Sequence, residues 1–379
     1  VIENGEFQVT SQYVPMIGNE VCITSKKDLE LIYGINKSEP TISIGKSILE
    51  GQVVPLSINK IFASHIGVFG NTGSGKSNTL HKLFLELFRS DYREKILELS
   101  KFYVIDFNGE YTKDDSFGIT DNNKKVFEIN TKNQTTTTKL PITSDYLFDS
   151  DILSILFGAT SATQVPFLRK SLNIWKERKF NGESIAHFVV GTLKRILTTG
   201  NSASLDSKDN WISISERYID NDLFDVLKSN LYYNYNTESY YTVVNGANKY
   251  INPNTAIPDS EIKYLKIDEI EKALKEKFNL LSEFDKLKFH LEFQKVHQSA
   301  WKSTNIEHIN PLFHRIENAL NSLKKVVEVK DSIDGDFSSL NIINLVHANQ
   351  EITRLIPMLI SKMVYDKQKE NINRDNVTC

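Results

Sequence analysis

The most constraining feature of the sequence is a glycine-rich segment, Gly70-Asn71-Thr72-Gly73-Ser74-Gly75-Lys76-Ser77. It fits the pattern G-x-x-x-x-G-K-[ST] at every fixed position, and that pattern forms a loop whose backbone N–H groups surround a polyphosphate. Glycine allows the required dihedral angles and lets the backbone approach the phosphates closely. Because such a loop joins a buried strand to a helix, it restricts the chain to an α/β fold with a parallel sheet.

The residues on both sides of the loop have the patterns that this fold requires. Residues 66–69 are a compact apolar run that predicts a buried strand, and residues 102–105 are a second such run. Between them, apolar residues at helical spacing predict an amphipathic helix: Leu80, Leu83, Phe84, Leu87 and Phe88. The order of strand, helix and strand predicts a βαβ unit and argues against a chance match of the loop.

The polar residues of the loop have predicted roles in nucleotide binding. Lys76 supplies a mobile cation for the β- and γ-phosphate oxygens, and the Ser77 hydroxyl is placed to ligate Mg²⁺. The helix that begins here adds its dipole and its unpaired N–H groups. We therefore predict a site for ATP and Mg²⁺ that runs from Gly70 to Asn78.

An acidic turn follows the second predicted strand, at the sheet edge where ligands of such folds collect. Its sequence is Asp106-Phe107-Asn108-Gly109-Glu110-Tyr111. Carboxylates here could hold a Mg²⁺-bound water or polarise the attacking one, which makes Asp106 and Glu110 candidate catalytic residues beside Lys76. The alternative is a turn with Gly109 at a positive φ angle and Asp106 as its cap. The spacing alone does not decide between the two.

The sequence argues against guanine as the base. GTPases read guanine with an N-K-x-D segment, and none of the Asn-Lys pairs at 36, 59, 123 and 248 has Asp two residues after its lysine. The transporter-type signature L-S-G-G-Q is also absent from the sequence.

Composition limits the classes of partner and environment. Lys and Arg number 45 against 48 Asp and Glu, and the net charge of −3 excludes a polybasic, histone-like binder but not a local basic lining inside a pore. No run approaches the ~18 apolar residues that a membrane span needs. Two cysteines, Cys22 and Cys379, cannot form a disulfide framework. We predict a cytoplasmic protein without a membrane partner.

The chain is predicted to form an α/β core interrupted by a helical segment. Short β-branched runs in residues 1–57 predict a small N-terminal β-barrel or sandwich, and we take the barrel as the prediction. Residues 58–150 begin the core, residues 151–328 form a helical insertion, and residues 329–379 return to the core with a strand at 340–345.

Three further predictions concern segments within this layout. Residues 113–145 are read as loop and edge hairpin because they are polar. Residues 200–258, rich in Asn, Ser and Tyr, are read as an irregular insertion. One long amphipathic helix is predicted from Asp268 onwards.

The sequence resembles the HerA family of hexameric DNA-translocating ATPases, relatives of FtsK. The specific similarity lies in the phosphate loop and in Asp106-x-x-Gly109-Glu110-Tyr111, which resembles the D-x-x-G-E-Y turn of that family. The remaining similarity is one of layout and spans most of the chain. The resemblance implies a RecA-like ATPase core in a homo-oligomeric ring, with ATP at subunit boundaries and double-stranded DNA in the pore. It also implies an effector partner, such as a nuclease or a sirtuin-like protein, in DNA-end processing or antiphage defence.

One departure from the family affects the predicted activity. The Walker B element of that family is a strand ending in Asp-Glu or Glu-Glu, and no such strand is evident in this sequence. The segment Ile267-Asp268-Glu269 fits the start of a helix better. In addition, Asn344 stands where relatives often have Asp after a later strand. Because the chain also begins at Val1 without Met, we expect it to be a segment, with Walker B beyond residue 379. Otherwise the chain binds ATP and hydrolyses it poorly.

Three functions therefore stay open at this point. The first is a DNA translocase, in which Arg315 or Arg354 is a candidate for an arginine donated across a subunit boundary. The second is an ATP-binding ring scaffold that assembles and activates an effector enzyme with little translocation of its own. The third is an isolated nucleotide kinase, which the N-terminal domain and the long insertion disfavour.

Overall fold

The computed structural model describes residues 2–3, 6–8, 10, 12–32, 39–48, 51, 53–120, 122–132, 138–199, 204–220, 222–252, 255–301 and 306–371. Cys379 lies outside these residues. Contacts divide the chain into two compact units. We call residues 1–129, 334–347 and 364–379 the sheet unit, and residues 130–333 and 348–363 the helical unit.

The elements are numbered along the chain. The part up to residue 130 contains β1 (Ile2–Glu3), β2 (Glu6–Phe7), α1 (Lys26–Ile32), β3 (Thr41–Lys46), β4 (Val53–Ser57), α2 (Ile58–Phe62), α3 (Lys76–Arg89), α4 (Arg93–Leu99), β5 (Phe102–Asp106) and β6 (Lys124–Asn130). The part after it contains β7 (Leu140–Thr143), α5 (Ser144–Leu147), α6 (Ser150–Leu156), α7 (Gln164–Arg178), α8 (Gly182–Leu197), α9 (Ser204–Ser215), α10 (Asp222–Asn230), β8 (Tyr232–Asn234), β9 (Ser239–Val244), β10 (Ala247–Tyr250), α11 (Asp259–Tyr264), α12 (Ile267–Leu280), α13 (Glu283–Ala300), α14 (Ile306–Val326), β11 (Val327–Lys330), β12 (Leu340–His347) and α15 (Gln350–Asn371).

The sheet unit is organised around a three-stranded sheet with the order β5-β12-β6. The predicted strand at 340–345 is confirmed as part of β12, which pairs with β5 in parallel so that Asn344 lies opposite Asp106. The predicted amphipathic helix is confirmed as α3, which buries Leu83, Leu87 and Phe88. This mixed α/β architecture with parallel strands fits a RecA-like core, and its register brings two polar side chains to the carboxyl edge of the sheet.

The segment before the phosphate loop differs from the prediction. Residues 64–71 pair with no strand in the described part of the chain, and Phe69 and Ile66 are 93% and 44% exposed. The predicted buried strand at 66–69 is therefore wrong for this structure. An apolar run has the composition of a buried strand, but pairing also requires a neighbouring strand, which the local pattern does not specify.

The predicted N-terminal β-barrel is not confirmed. Within the described residues of 1–57, β1 and β2 form a very short antiparallel pair, and β3 pairs antiparallel with β4. A register shift lies between Ser43 and Gly45, and those described residues do not form a closed barrel. Short β-branched runs fit isolated hairpins as well as a barrel, since closure depends on contacts between hairpins.

Two polar segments have more structure than predicted. In the segment 113–145, β6 joins the central sheet and β7 pairs in parallel with β11. The segment 200–258 is not irregular, because it forms α9, α10 and an antiparallel sheet of order β10-β9-β8. Tyr240 in that sheet is buried in the core of the helical unit and Tyr233 packs against this core, whereas Tyr232 and Tyr250 are exposed.

The long helix predicted from Asp268 is divided into α12 and α13. The break follows Leu280, and Ser282 caps α13 by accepting a hydrogen bond from the Asp285 N–H at 3.3 Å. The segment Ile267-Asp268-Glu269 begins α12, as predicted, and is not a Walker B strand. Across the described ranges of the chain, the helices are too short or too polar to span a bilayer.

Candidate nucleotide-binding site

The phosphate loop uses glycine for two different reasons. Gly73 and Gly75 have φ angles of 81° and 90°, and a Cβ at either position would meet no atom within 4 Å. Glycine is needed there because of the left-handed backbone and not because of crowding. At Gly70, in contrast, a Cβ would collide with the Ser74 hydroxyl. The loop is thus tightly packed at Gly70 and has free space around Gly73 and Gly75, where it meets the helix.

Helix α3 begins directly at the end of this loop. Its N-cap is Gly75, which provides no side-chain hydrogen bond to the first turn. The first N–H groups of a helix have no acceptor within the helix, so these groups can donate to an anion. The Lys76 ammonium donates to the carbonyl oxygen of Asn71 at 2.8 Å, and the Ser74 N–H donates to the same oxygen at 3.1 Å. A cation and uncapped donors therefore meet at one loop, which fits a polyphosphate.

The acidic turn is built around the carboxylate of Asp106. Its Oδ1 accepts the N–H groups of Asn108, Gly109 and Glu110 at 3.2, 2.8 and 3.1 Å. Its Oδ2 accepts the N–H of Tyr111 at 2.9 Å, and Asp106 is 2% exposed. This is the capping alternative that the sequence left open. A catalytic role for Asp106 stays a prediction, and it would require the turn to open.

Glu110 differs from Asp106 in its surroundings. Its side chain is exposed and accepts a hydrogen bond from the Asn108 amide at 3.4 Å. Gly109 holds the turn with a φ of 72°, and a Cβ there would lie 3.1 Å from a Val346 methyl group. Of the two carboxylates predicted as catalytic, Glu110 is the one that solvent reaches.

Tyr111 connects the acidic turn to the phosphate loop. Its hydroxyl donates to the carbonyl oxygen of Ser77 at 3.5 Å. Burial raises the pKa of this hydroxyl above its usual range, and the carboxylates of Glu110 and Asp106 raise it further, although the Ser77 hydrogen bond acts in the opposite direction. The hydroxyl therefore stays protonated and remains a donor.

An aromatic stack that sequence reasoning missed supports this connection. The Phe117 ring lies 5.0 Å from the ring centres of both His81 and Tyr111. The Phe117 N–H donates to His81 Nε2 at 3.1 Å, and Phe117 has a φ of 62°. No local pattern marks these residues, because the stack joins α3 to a loop more than thirty positions later.

A polar pair occupies the carboxyl edge of the sheet beside Asp106. The Asn344 amide donates to Glu128 Oε2 at 2.7 Å and accepts from the Val346 N–H at 3.1 Å. Glu128 was missed because its segment was predicted to be loop and edge hairpin, without a strand in the central sheet. The signal for a strand there is the alternation of buried Phe127 and Ile129 around Glu128.

The metal prediction depends on Ser77 and on the phosphates. No group of three or more His, Cys, Asp or Glu side chains in the described ranges could hold a metal ion. Mg²⁺ in nucleotide sites commonly binds few protein ligands together with phosphate oxygens and water, and Ser77 is the protein ligand predicted here. The Ser77 side chain is exposed and free to turn towards such an ion.

The two candidate arginines have different surroundings in the helical unit. Arg315 donates to the carbonyl oxygen of Phe157 at 2.8 Å and to the Gln164 side chain at 2.6 Å. These bonds hold its guanidinium against other residues of the helical unit. Arg354 is exposed on α15 and stays a candidate for a contact between subunits.

Comparison with known proteins identifies the family to which the chain belongs. No curated protein matches it. The family described as "Helicase HerA, central domain" matches residues 42–245, which include the phosphate loop and the acidic turn and cover more than half of the chain. The protein belongs to this HerA family and is a P-loop ATPase of the HerA/FtsK kind.

Proposed function

We propose that the protein is an ATP-driven DNA translocase of the HerA type. It forms a cytoplasmic homo-oligomeric ring, a hexamer, pulls double-stranded DNA through its pore, and works with an effector such as a nuclease or a sirtuin-like protein. Antiphage defence is the proposed setting. The observation that carries the proposal is the uncapped start of α3 at Gly75 and Lys76, in a chain of the HerA family.

Each site residue has a proposed part in ATP hydrolysis. The N–H groups from Gly70 to Asn78 bind the phosphates, and the Lys76 ammonium exchanges the Asn71 carbonyl for phosphate oxygens. Ser77 would hold Mg²⁺, which would supply neutralisation of charge on the phosphates. Glu110 is exposed and orients the attacking water, whereas Asp106 fixes the turn that carries Glu110.

The alternative is an ATP-binding ring scaffold that activates an effector and moves little DNA. Two observations at the sheet edge favour it. The carboxylate of Asp106 is buried under four backbone donors, and the neighbouring strand ends in the neutral amide of Asn344. The described part of this edge therefore offers few free carboxylates for activation of water.

The deciding experiment is ATP turnover measured with and without duplex DNA. A translocase is expected to show turnover that DNA stimulates and that Lys76→Ala lowers at least ~100-fold, since the cation acts on charge in the transition state. The matched control is Lys95→Ala, which removes an exposed lysine from α4 and should leave turnover unchanged. Negligible turnover with intact ring assembly would instead establish the scaffold.

A further inference from the structure

A row of aromatic side chains runs through the helical unit from the end of α7, over α8, to the end of α13. Between ring centres, Phe180 lies 5.6 Å from Phe188, and Phe188 lies 5.0 Å from His297. The row ends at Trp301, whose ring lies 4.7 Å from that of His297. Phe188 is buried, whereas the other three side chains are half-buried and reach the surface. None of these four side chains has a part in the nucleotide site described above.

Three exposed cations accompany this row: Lys170, Arg178 and Arg195. The guanidinium carbon of Arg178 lies 5.7 Å from the centre of the Phe188 ring. That of Arg195 lies 4.6 Å from the centre of the Trp301 ring. A ring face attracts a guanidinium and restricts its position, while the N–H groups at the guanidinium edge stay available for an anion. We call the aromatic row and the three cations the basic face.

The cations of the basic face have no anionic partner in the described part of the chain. No carboxylate there pairs with any of the three, whereas Arg169, the residue before Lys170, pairs with an aspartate at 3.2 Å. The pKa of His297 is lowered to about 4, first by burial and then by the charges of the same three cations. Three unpaired positive charges therefore lie close to one imidazole, in a chain whose net charge is −3.

A cavity of about 500 Å³ adjoins the basic face and shares Phe180 with it. Phe148 and Trp175 complete its aromatic lining, together with one serine and one aspartate. Two exposed lysines, Lys176 and Lys179, also line it. Its volume is within the range of sites that enclose a compact ligand, about 300–1,000 Å³. The cavity can therefore take one large apolar side chain of a binding partner, next to the cations.

We propose that the basic face binds an acidic segment of a partner protein, which places one large apolar side chain in the adjoining cavity. The carboxylates of this segment pair with Arg178, Arg195 and Lys170, and the planar guanidinium groups match a carboxylate with two parallel hydrogen bonds. An apolar anchor in a pocket beside charged pairs is the arrangement in which a few residues supply most of the binding energy. This inference goes beyond the proposed function, because neither ATP nor DNA takes part in it.

Two observations favour carboxylates of a protein over phosphates of a nucleic acid. Rings that bind nucleic acid stack bases on a free face, but Trp175 already stacks on Phe148 at 4.3 Å and Arg195 lies over Trp301. The cations also form a compact group around His297. A nucleic-acid strand is held instead by cations spread along about 6–10 phosphates.

The test measures binding of a labelled peptide, one tryptophan followed by six glutamates, to the full chain without nucleotide. The peptide should bind at least ~10-fold more tightly than the same peptide with six glutamines, since the carboxylates supply the charge pairs. The double variant Arg178→Ala with Arg195→Ala should weaken the glutamate peptide at least ~10-fold. Ser144→Trp fills the cavity and should abolish the preference for tryptophan over alanine at the first position of the peptide. Unchanged unfolding midpoints show that the variants are folded.

Matched controls make the same exchanges away from the basic face. Arg169→Ala removes an arginine that already has a partner, and Ser161→Trp is at an exposed position before α7. Both should bind the glutamate peptide as the unchanged protein does. Equal binding of the glutamate and glutamine peptides, or unchanged affinity in the double variant, would show that the proposal is wrong.

Two further measurements identify a different occupant of the basic face. A single-stranded oligothymidylate that binds the full chain and loses affinity with the double variant would assign the face to nucleic acid and overturn the proposal. A double variant that changes the oligomeric state, measured by light scattering, without weakening the peptide would assign the face to a second copy of the chain and overturn it as well. Each of these results leaves the proposed function standing, because nucleotide is absent from the measurements.

Discussion

The phosphate loop and the acidic turn belong to the same unit, and both contain glycines in the left-handed region. They differ in whether their backbone N–H groups have an acceptor within the segment. In the turn, the buried carboxylate of Asp106 accepts four N–H groups from the residues that follow it. In the loop, Gly75 begins a helix and supplies no side-chain acceptor for the first turn. The turn satisfies its own donors, whereas the loop keeps donors available for an anion.

The glycines show the same contrast. A Cβ at Gly109 would lie 3.1 Å from Val346, so the turn is also packed against β12. A Cβ at Gly75 would meet nothing within 4 Å. The presence of glycine in the sequence does not separate these cases, but the space around each residue does. We infer that substitutions in the turn act on stability and that substitutions in the loop act on binding.

Replacement of Asp106 tests this contrast with the largest expected effect on stability. Asp106→Ala leaves four backbone donors without their acceptor, which should lower the free energy of unfolding by about 2–3 kcal/mol. Asp106→Asn keeps one acceptor oxygen and should cost less, about 1–2 kcal/mol. The measurement is denaturant unfolding, combined with hydrogen exchange of the amides of Gly109 and Tyr111, which should lose protection.

The control for this prediction is Asp91→Ala, at an exposed position before α4. It should change the free energy of unfolding by less than about 0.5 kcal/mol. Should Asp106→Ala unfold at the same denaturant concentration as the unchanged protein while losing ATP turnover, the carboxylate would be catalytic and the capping interpretation would be wrong.

A pair of glycine substitutions sharpens the contrast at a smaller scale. Gly109→Ala adds a contact with Val346 to the cost of a positive φ angle and should destabilise by about 2 kcal/mol. Gly75→Ala carries only the backbone cost, about 1 kcal/mol, but should weaken nucleotide binding more than Gly109→Ala does. Unfolding and ATP titration of both variants give the comparison. Equal effects on ATP affinity would show that the turn and the loop do not differ in function.

The parts of this site that the sequence predicts are those set by local patterns. The loop motif places Gly73, Gly75 and Lys76 at the start of a helix, and the helical spacing identifies the buried face of α3. The acidic turn was predicted with both of its interpretations, and Gly109 has the positive φ angle expected of a turn glycine. Local periodicity and turn chemistry act over a few residues, so one sequence is enough to read them.

The parts that the sequence does not predict depend on distant contacts. Residues 66–69 have the apolar composition of a strand but lack a strand partner in the described part of the chain. The segment of β6 was predicted to be loop and edge hairpin, although β6 joins the central sheet and carries Glu128 to within 2.7 Å of Asn344. The hydrogen bonds of Asp106 are local, with donors two to five residues later, but residue types alone do not show that its carboxylate turns towards those N–H groups. A pattern of residue types contains no information about such partners.

Tyr111→Phe has the smallest expected effect and tests whether the turn and the loop are coupled. The hydroxyl lies 3.5 Å from the Ser77 carbonyl oxygen, at the outer limit of a hydrogen bond, so its loss should cost only about 0.5 kcal/mol of stability and change ATP affinity less than about twofold. Tyr111→Leu also removes the stack with Phe117 and should cost about 1–2 kcal/mol. Both values come from unfolding and ATP titration of the full chain. A tenfold loss of ATP affinity in Tyr111→Phe would mean that the turn controls the loop through this one contact, and the division between a structural turn and a binding loop would no longer hold.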